Sequence, residues 1–246
     1  SKMQKVLDTA KKVAVTDSTI LITGESGTGK TLLAKLIHDG SVRAKGPFAV
    51  VNCATLSENL LESELFGHVR GAFTGAVKDK IGRLQVADTG TVFLDEIGEI
   101  SPSLQTKLLR FLQEREFERV GDTKTVRVDV RIIAATNKDL EREVREGRFR
   151  EDLYFRLNVI ELHMPSLRQR PEDILTLAES LLTRSFLANN RTPRPFTESA
   201  RKAIESYSWP GNIRELKNAL ERAAILSTGD QVTVEVWHTD AAAKVV

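Results

Sequence analysis

The segment that most constrains the fold of this chain is residues 24–31, which read Gly-Glu-Ser-Gly-Thr-Gly-Lys-Thr. This order matches the phosphate-binding pattern G-x-x-x-x-G-K-[ST]. An apolar run at residues 19–23 precedes the segment, and leucines at helical spacing follow it. The sequence therefore predicts a strand, a phosphate-binding loop and a helix in direct succession.

The predicted loop is suited to the phosphates of ATP. Its small residues allow backbone N–H groups to turn toward phosphate oxygens, and the helix that begins near Lys30 adds the positive end of its dipole. We expect Lys30 to reach the β- and γ-phosphates and the Thr31 hydroxyl to bind Mg²⁺. The alternative, a glycine-rich turn with an exposed lysine, is disfavoured by the flanking strand and helix. The candidate nucleotide-binding residues are Gly24, Glu25, Ser26, Gly27, Thr28, Gly29, Lys30 and Thr31.

Two carboxylates follow one another at the end of the third apolar run, residues 91–95. Asp95 is expected to hold Mg²⁺, directly or through water, and Glu96 to polarise the attacking water as a general base. An acidic pair at the end of a strand is more often a solvated edge or a helix cap. The catalytic interpretation therefore depends on the nearby phosphate-binding loop.

Two asparagines also end predicted strands. Asn52 ends the second strand, and Asn137 follows the fourth. The carboxyl edge of a parallel sheet is where ligands bind, so the Asn137 amide is a candidate to hydrogen-bond the γ-phosphate or the lytic water. For both residues the alternative is a turn residue or a helix cap.

Five short apolar runs rich in Val, Ile and Phe are predicted strands, and helical patterns separate most of them. Strands that are buried on both faces and alternate with helices indicate an α/β fold, with a parallel sheet in a three-layer α/β/α arrangement. The predicted strands are residues 19–23, 48–52, 91–95, 130–135 and 159–164.

After Pro165 the pattern becomes helical and contains no strong strand. Residues 189–195 carry two prolines and are predicted to form a loop. We therefore predict an α/β nucleotide-binding subdomain at residues 1–167 and a smaller all-α lid subdomain at residues 168–246. The predicted helices of the lid are residues 174–187, 198–207 and 212–227.

Composition excludes several classes of protein. Thirty-six basic and 34 acidic side chains leave a formal charge of +2, too small for a general attraction to nucleic acid or an anionic membrane. The single Cys53 cannot form an internal disulfide, and the four histidines lack metal-ligand spacing, so a reducing cytoplasm is the expected location. No apolar run approaches the roughly 18 residues of a membrane span. Because the sequence begins with Ser1 rather than Met, we expect a segment of a longer polypeptide.

A hexapeptide at residues 71–76 reads Gly-Ala-Phe-Thr-Gly-Ala and has neither helical nor strand periodicity. Its small residues bury little surface, which suits a mobile surface loop with an apolar tip. An exposed aromatic side chain at such a tip, here Phe73, is typical of a partner-binding anchor. Considered without any relative, a buried Phe in a tight turn is the more common arrangement.

Together these residues resemble the AAA+ central ATPase domain of bacterial sigma-54-dependent transcription activators, also called enhancer-binding proteins, many of which are response regulators. The resemblance covers almost the whole chain, and the hexapeptide is its most diagnostic motif. It implies that the hexapeptide contacts the sigma factor. The implied partner-binding residues are Gly71, Ala72, Phe73, Thr74, Gly75 and Ala76.

The resemblance also implies roles for residues around the nucleotide. Asn52 corresponds to a partner of Glu96 that couples nucleotide state to the hexapeptide, and Asn137 corresponds to the first sensor. Arg150 and Arg156 match two arginines that reach the nucleotide of a neighbouring subunit. One departure is Thr31, since many members carry Glu at this position.

Helix geometry does not decide which of Arg150 and Arg156 contacts the nucleotide directly. Phe149, Leu153 and Leu157 form one apolar face of a predicted helix, and the arginines lie off it. Six positions at about 100° each put Arg150 and Arg156 roughly 120° apart on a straight helix. One arginine is then expected to act directly and the other indirectly. The alternative is two solvated surface arginines.

The start of the last predicted helix resembles the family's second-sensor motif. Asn212 is a good candidate N-cap, and Glu215 stands at the capping-box position three residues later. Arg214 lies beside the apolar stripe, so it is a candidate to reach bound nucleotide from the lid. The alternative is a cap or a salt bridge within its own domain.

The implied activity is ATP hydrolysis with Mg²⁺, in a homo-oligomeric ring that is expected to be a hexamer and that remodels sigma-54 RNA polymerase holoenzyme. Two alternatives are a nucleotide-gated binding module without productive hydrolysis and an AAA+ unfoldase. Neither a receiver domain nor a helix-turn-helix is evident, so contact with promoter or enhancer DNA is expected through a domain absent from this chain. The sequence suggests no role for residues 241–246.

Overall fold

A computed structural model describes residues 1–234 of the chain. The tail at residues 241–246 therefore lies outside the described residues. The described residues divide into two units, each with its own apolar core. The larger α/β unit comprises residues 4–24 and 30–164, and the helical unit comprises residues 1–3, residues 25–29 and the described residues from 165 onward. The predicted division into residues 1–167 and 168–246 stays a prediction.

The elements up to residue 164 are seven helices and nine strands, with a short 3₁₀ turn at Ile97–Glu99. The helices are α1 (Lys2–Ala14), α2 (Lys30–Asp39), α3 (Glu58–Phe66), α4 (Arg83–Val86), α5 (Pro102–Glu114), α6 (Leu140–Arg145) and α7 (Glu151–Leu157). The strands are β1 (Ile20–Thr23), β2 (Phe48–Asn52), β3 (Gly67–His68), β4 (Lys80–Ile81), β5 (Thr91–Asp95), β6 (Glu116–Glu118), β7 (Thr125–Arg127), β8 (Arg131–Thr136) and β9 (Ile160–His163).

A five-stranded sheet with the order β2-β5-β8-β1-β9 forms the centre of the α/β unit, and all of its strand pairs are parallel. The five predicted strands are confirmed, with ends that differ by one residue or none. Every residue of β8 is buried, as expected for an interior strand of a parallel sheet. Helices supply the apolar cover, for example Leu108 and Phe111 of α5 in the same core as Leu94.

The register of this sheet brings the predicted functional positions to one edge. Asn52 at the end of β2 is paired with Asp95 at the end of β5. Thr23, the last residue before the phosphate-binding loop, is paired with Thr136, the last residue before Asn137. Parallel strands end at the same edge, so side chains that are far apart in the sequence become neighbours.

Two short antiparallel hairpins were not predicted from the sequence. Strands β3 and β4 bracket residues 69–79, which include the hexapeptide, and β6 pairs with β7. A parallel bridge between His68 and Val120 joins the two hairpins. Strands of two or three residues carry too little periodicity to be detected in the sequence.

The helical unit contains a 3₁₀ turn at Leu167–Gln169 followed by α8 (Pro171–Ala188), α9 (Glu198–Ser206) and α10 (Asn212–Leu226). Its core includes Phe186 and Leu220 as well as Trp209, whose indole N–H donates to the Ile204 carbonyl at 2.9 Å. Pro171 occupies the first turn of α8, where its missing N–H costs nothing. The three predicted lid helices are confirmed.

Candidate functional site

The phosphate-binding loop has a backbone shape that favours glycine at three of its positions, including Gly29 with φ 103°. Gly24 has φ 141°, and a Cβ there would lie 2.7 Å from the Met164 carbonyl oxygen. Gly27 has φ 78°, and a Cβ there would lie 2.4 Å from the Gly211 carbonyl oxygen. The Thr28 hydroxyl closes the turn by donating to the Glu25 carbonyl at 2.8 Å. The loop is thus a backbone cradle without side chains in its way, which fits the phosphates of a nucleotide.

Lys30 begins α2 and is 6% exposed. Its ammonium group donates to the Gly24 carbonyl at 2.9 Å and lies 3.8 Å from a carboxylate oxygen of Glu96. The Thr31 hydroxyl follows in the first turn of the same helix, and Thr31 is exposed. The cation is therefore held at the entrance of the loop, beside the candidate general base.

Asp95 and Glu96 differ sharply in backbone conformation. Asp95 ends β5, and one of its carboxylate oxygens accepts from the Glu96 N–H at 3.1 Å. Glu96 has φ 55° and ψ 48°, a left-handed conformation that costs about 1–3 kcal/mol for a non-glycine residue. Such strain is concentrated at functional sites, because only a well-packed surrounding structure maintains it.

The Glu96 carboxylate is oriented by two groups from neighbouring elements. One oxygen accepts from the Asn137 backbone N–H at 3.2 Å, and the other faces the Lys30 ammonium group. The Asn137 side chain is at the sheet edge, and the residue is exposed. Lys30 at the start of α2, Glu96 after β5 and Asn137 after β8 therefore converge, as their positions at the ends of elements predict.

Asn52 does not form the pair with Glu96 that the family resemblance implies. Its side-chain oxygen accepts from the Ala54 N–H at 2.9 Å in a local turn. The left-handed backbone of Glu96 directs its carboxylate toward Lys30 and Asn137 instead. A contact between Asn52 and Glu96 therefore requires a rearrangement from this structure.

Cys53 lies directly behind these acids, and the sequence predicts no catalytic role for it. It is buried, and its N–H donates to the Asp95 carbonyl at 2.9 Å. Burial, and then the charges of Asp95 and Glu96, raise the pKa of the Cys53 thiol to about 12. The thiol therefore stays protonated and packs as a small apolar group.

The two arginines do not share a helix, so the separation of about 120° expected on a single straight helix does not apply. Arg150 has φ −74° and ψ 132° and is the N-cap of α7, which begins at Glu151. Its guanidinium group forms a two-pronged pair with Asp152 at 3.0 and 2.7 Å, and this hydrogen bonding lowers the pKa of the Asp152 carboxyl. Arg156 instead donates to the Leu112 carbonyl near the end of α5 at 3.1 Å.

The predicted N-cap of the last helix is also wrong. Gly211 is the N-cap of α10, and Glu215, four residues later rather than the predicted three, accepts from its N–H at 2.8 Å. Asn212 is buried, has φ 54° and directs its amide away from its own helix. Arg214 is exposed and donates to the Ser26 hydroxyl at 2.7 Å, so a lid arginine contacts the phosphate-binding loop.

The hexapeptide forms a closed turn rather than an extended tip. The Gly71 N–H donates to the Ala76 carbonyl at 2.8 Å, and the Ala76 N–H donates to the Phe73 carbonyl at 3.0 Å. Phe73 is only half-exposed, and its ring packs edge-on against His68 at 5.0 Å between centroids. The expectation of an exposed aromatic tip is therefore wrong for this structure, whereas Thr74 and Gly75 are exposed.

Sequence reasoning missed two arginines that contact the phosphate-binding loop. Arg168 pairs with Glu25, and the buried Arg170 donates to the Thr28 carbonyl at 3.3 Å. Both lie in the run Leu-Arg-Gln-Arg-Pro at residues 167–171, at the predicted boundary between the subdomains. The clustering of arginine next to proline was the available signal.

The oxygen ligands at the site fit Mg²⁺. A hydroxyl from Thr31 and a carboxylate from Asp95 are the hard donors that this ion takes, usually together with water and substrate phosphate oxygens. Within residues 1–234, no group of three or more His, Cys, Asp or Glu side chains is arranged to hold a metal by itself. Across the same range, none of the helices has the length and apolar character of a membrane span.

Two family models match the chain. A model described as the sigma-54 interaction domain matches residues 1–163, and a model described as the AAA+ ATPase lid domain matches residues 168–244. Among curated proteins, the alginate biosynthesis transcriptional regulatory protein AlgB of Pseudomonas syringae pv. tomato is 58% identical over 236 residues, which are 96% of this chain and 52% of AlgB. The Nif-specific regulatory protein of Azotobacter vinelandii is 58% identical over 234 residues, 95% of this chain and 45% of that protein. The chain thus spans about half the length of these relatives.

Solved structures show the same fold with adenine nucleotides bound. NtrX from Brucella abortus in complex with ADP superposes with a TM-score of 0.91 at 41% identity, covering 98% of this chain and 54% of NtrX. The same protein in complex with ATP gives a TM-score of 0.90 at 41% identity, covering 96% and 52%. The predicted AAA+ fold, with its parallel sheet and helical lid, is confirmed.

Proposed function

Because the chain belongs to the family of sigma-54 interaction domains, we propose that it is the ATP-hydrolysing motor of a transcription activator, which remodels sigma-54 RNA polymerase holoenzyme so that the promoter opens. As a member of that family, with an AAA+ lid, it is an ATP-binding AAA+ domain of transcriptional regulators. The observation that carries the proposal is the convergence of Lys30 and the Asn137 N–H on the strained carboxylate of Glu96. That arrangement suits hydrolysis as well as binding.

Nucleotide binding is assigned to the phosphate-binding loop and the start of α2. Backbone N–H groups of the cradle and the ammonium group of Lys30 would neutralise the phosphate oxygens. Thr31 and Asp95 would hold Mg²⁺, which supplies further neutralisation of the charge that develops on these oxygens. Arg214, already bonded to the Ser26 hydroxyl, would add a cation from the lid.

Hydrolysis is assigned to Glu96 as general base. The effectiveness of Glu96 as a base depends on its position relative to the attacking water. The Asn137 N–H fixes one carboxylate oxygen, and the Asn137 side chain is left exposed at the same edge to contact the γ-phosphate or that water. Asn52 would leave its local turn and couple the change of nucleotide state after hydrolysis to the hexapeptide.

The site is completed by a second copy of the chain. Arginines supplied in trans neutralise transition-state charge and increase phosphoryl transfer strongly. Arg150 is the better candidate for direct contact, because its partner Asp152 is itself 47% exposed. Arg156 donates to the end of α5 and would act indirectly by holding α7 in place. We therefore propose a homo-oligomeric ring, with the hexamer of its family as the expected size.

The mechanical output is assigned to the hexapeptide at residues 71–76. Phe73 would leave its contact with His68 and engage the sigma factor when nucleotide state changes. Contact with promoter or enhancer DNA would be made by parts of the longer relatives that this chain does not span.

Open-complex formation tests the proposal. Purified chain, sigma-54 holoenzyme and a promoter fragment are mixed with ATP or with a non-hydrolysable analogue, and strand opening is followed by permanganate reactivity. Opening that requires the chain and hydrolysable ATP is the expected result. ATP hydrolysis without any opening would contradict the assigned output while leaving the ATPase assignment standing.

A further inference from the structure

Glu25 places a carboxylate inside a loop that is shaped to bind a polyanion. Both of its oxygens are engaged: Arg168 donates to each of them, at 2.8 Å for Oε2, and the Asn212 amide donates to Oε2 at 3.0 Å. Without these partners the negative charge would oppose phosphate binding. The acid is therefore retained together with a cation that neutralises it.

Asn212 is the buried centre of this group. Its amide nitrogen donates to Glu25 and to the Ser26 carbonyl at 3.1 Å, and its amide oxygen accepts from the Leu167 N–H at 2.7 Å. The residue is fully buried and left-handed, a conformation that Asn tolerates better than most residues. One side chain thus connects the phosphate-binding loop, the segment at residue 167 and the start of α10.

Arg170 also contacts the backbone of the phosphate-binding loop. It is 3% exposed and donates to the Thr28 carbonyl at 3.3 Å. A buried guanidinium group thus holds one backbone carbonyl of the loop in place. All of these contacts lie within the helical unit, which includes residues 25–29.

The contacts of Arg168 and Glu25 are better suited to position the loop than to stabilise the fold. The Arg168–Glu25 pair is 48% and 43% exposed, and pairs this exposed contribute little to the stability of the fold. By contrast, a displacement of about 1 Å in a phosphate cradle reduces rates by roughly a hundredfold. A two-pronged guanidinium contact defines direction as well as distance, which a surface charge alone does not.

We infer that Glu25, Arg168, Arg170 and Asn212 form a loop clamp that holds the phosphate-binding loop in its nucleotide-binding shape and thereby sets how slowly nucleotide dissociates. The inference rests on the proposed function only in that the ligand is the same adenine nucleotide. Arg168 and Asn212 are positioning residues, and their action is separate from the contact of Arg214 with Ser26.

The decisive variant is Arg168→Lys, which keeps the positive charge but loses the two-pronged geometry. If the clamp acts through position, this variant increases the dissociation rate and the Kd of a fluorescent ADP analogue by roughly 3- to 10-fold, because the competent loop shape is less populated. If Arg168 acts only through its charge, the variant binds like the unaltered chain. The latter result would overturn the clamp.

A double-mutant cycle separates the pair from its net charge. Glu25→Gln and Arg168→Gln change the charge in opposite directions, so a pure charge effect is additive in the logarithm of Kd. A pure charge effect also makes Glu25→Gln bind ADP more tightly, whereas the clamp predicts that each single variant weakens binding and that the double variant is no worse than the more affected single variant. The matched control is Arg201→Lys, whose pair with Glu179 in the same unit is 39% and 46% exposed and touches no part of the loop.

Hydrogen exchange in the nucleotide-free chain supplies a readout that needs no ligand. Arg168→Lys is expected to accelerate exchange of the backbone amides at residues 25–29, while Arg201→Lys does not. If the unaltered chain binds no ADP, the proposed function fails, and this exchange still decides the clamp. Unchanged exchange and unchanged ADP dissociation in Arg168→Lys would refute the clamp.

Discussion

At the scale of single residues, the proposed chemistry depends on a glutamate with a strained backbone. Glu96 adopts a left-handed conformation between β5 and the following 3₁₀ turn, and its carboxylate is held by Asn137 and Lys30. A residue with the same charge but relaxed backbone would direct its side chain elsewhere. The strain is thus the means by which an ordinary carboxylate reaches the position of a general base.

Glu96→Gln is expected to abolish turnover while retaining ATP binding. Glutamine keeps the shape and the hydrogen bond to Asn137 but accepts no proton, so phosphate release should fall by at least about a hundredfold. Steady-state phosphate release and ATP affinity are measured in parallel. Glu114→Gln, which removes an exposed partner of Arg110, is the control and should hydrolyse normally. Normal turnover by Glu96→Gln would exclude this residue as the base.

Substitutions of Arg150 and Arg156 are expected to differ in their effect on the stability of the fold. Arg156→Ala removes the donor to the Leu112 carbonyl and should destabilise the fold by about 1 kcal/mol, whereas Arg150→Ala removes an exposed pair and should leave it unchanged. Both should lose hydrolysis in the assembled state. Thermal unfolding and phosphate release are compared for both variants. Equal melting temperatures would contradict the indirect role of Arg156.

At the scale of elements, the hairpin formed by β3 and β4 decides the state of the hexapeptide. The His68 ring donates from Nε2 to the Lys78 carbonyl at 3.0 Å, shares a hydrogen bond of 2.6 Å with the Ser63 hydroxyl through Nδ1, and supports Phe73. A segment without periodicity thus obtains a defined shape from its two ends. The contact of Phe73 is a packing contact that a partner surface can replace.

Phe73→Ala is expected to spare ATP hydrolysis but to eliminate promoter opening, because it removes the apolar group assigned to the sigma factor. Ile81→Ala, which truncates an exposed side chain of β4 in the same hairpin, is the control and should retain both activities. Phosphate release and open-complex formation are scored on the same preparations. Promoter opening by Phe73→Ala would refute the assignment of this loop.

The base of this hairpin is expected to be sensitive to acid. The hydrogen bond from Lys80 lowers the pKa of the Glu64 carboxyl below its ordinary 4.5. A lowered pKa means that the pair stabilises the fold above the unfolded value and is lost as pH falls through the folded value. Glu64→Gln should therefore melt at a lower temperature at neutral pH, and the difference should shrink as pH falls from 4.5 through the lowered pKa of the folded state. A constant difference across pH would contradict the role of this charge.

At the scale of the whole molecule, the proposed active site is complete only in an assembly. In the proposed site, the residues of one chain would supply the cradle, the base and the sensor, while the finger would come from a neighbour. Such a site makes activity depend on concentration, since an isolated chain lacks the cation that neutralises the transition state.

Mixing two inactive variants tests the assembly. Glu96→Gln retains its arginine finger and Arg150→Ala retains its base, so a mixed ring contains some complete sites. Equal mixing is expected to restore about a quarter of the unaltered rate, the fraction of random neighbours that supply one of each. Glu96→Gln mixed with Lys30→Ala is the control. The first variant keeps the cradle and the second keeps the base, but neither chain has both. Absence of recovery in the first mixture would exclude sharing in trans.

Much of the fold and the candidate site could be predicted from the sequence because the relevant signals are local. Five apolar runs identified the strands of the parallel sheet within one residue at each end. The phosphate-binding loop was evident from its glycines, and Asp95, Glu96 and Asn137 were found because they end strands. The strand ends of a parallel sheet share an edge, so position in the sequence implied proximity in space.

What only the tertiary structure decided concerns directions and distant partners. Arg150 lies before its helix rather than within it, Asn212 serves the phosphate-binding loop rather than its own helix, and Phe73 folds against His68. Each outcome depends on a hydrogen-bond or ring partner whose position is set by packing elsewhere in the chain. The sequence by itself determined which residues are candidates for the chemistry, since the motifs require particular residue types. The structure decided which way those residues point, because a side chain turns toward the partner that satisfies it.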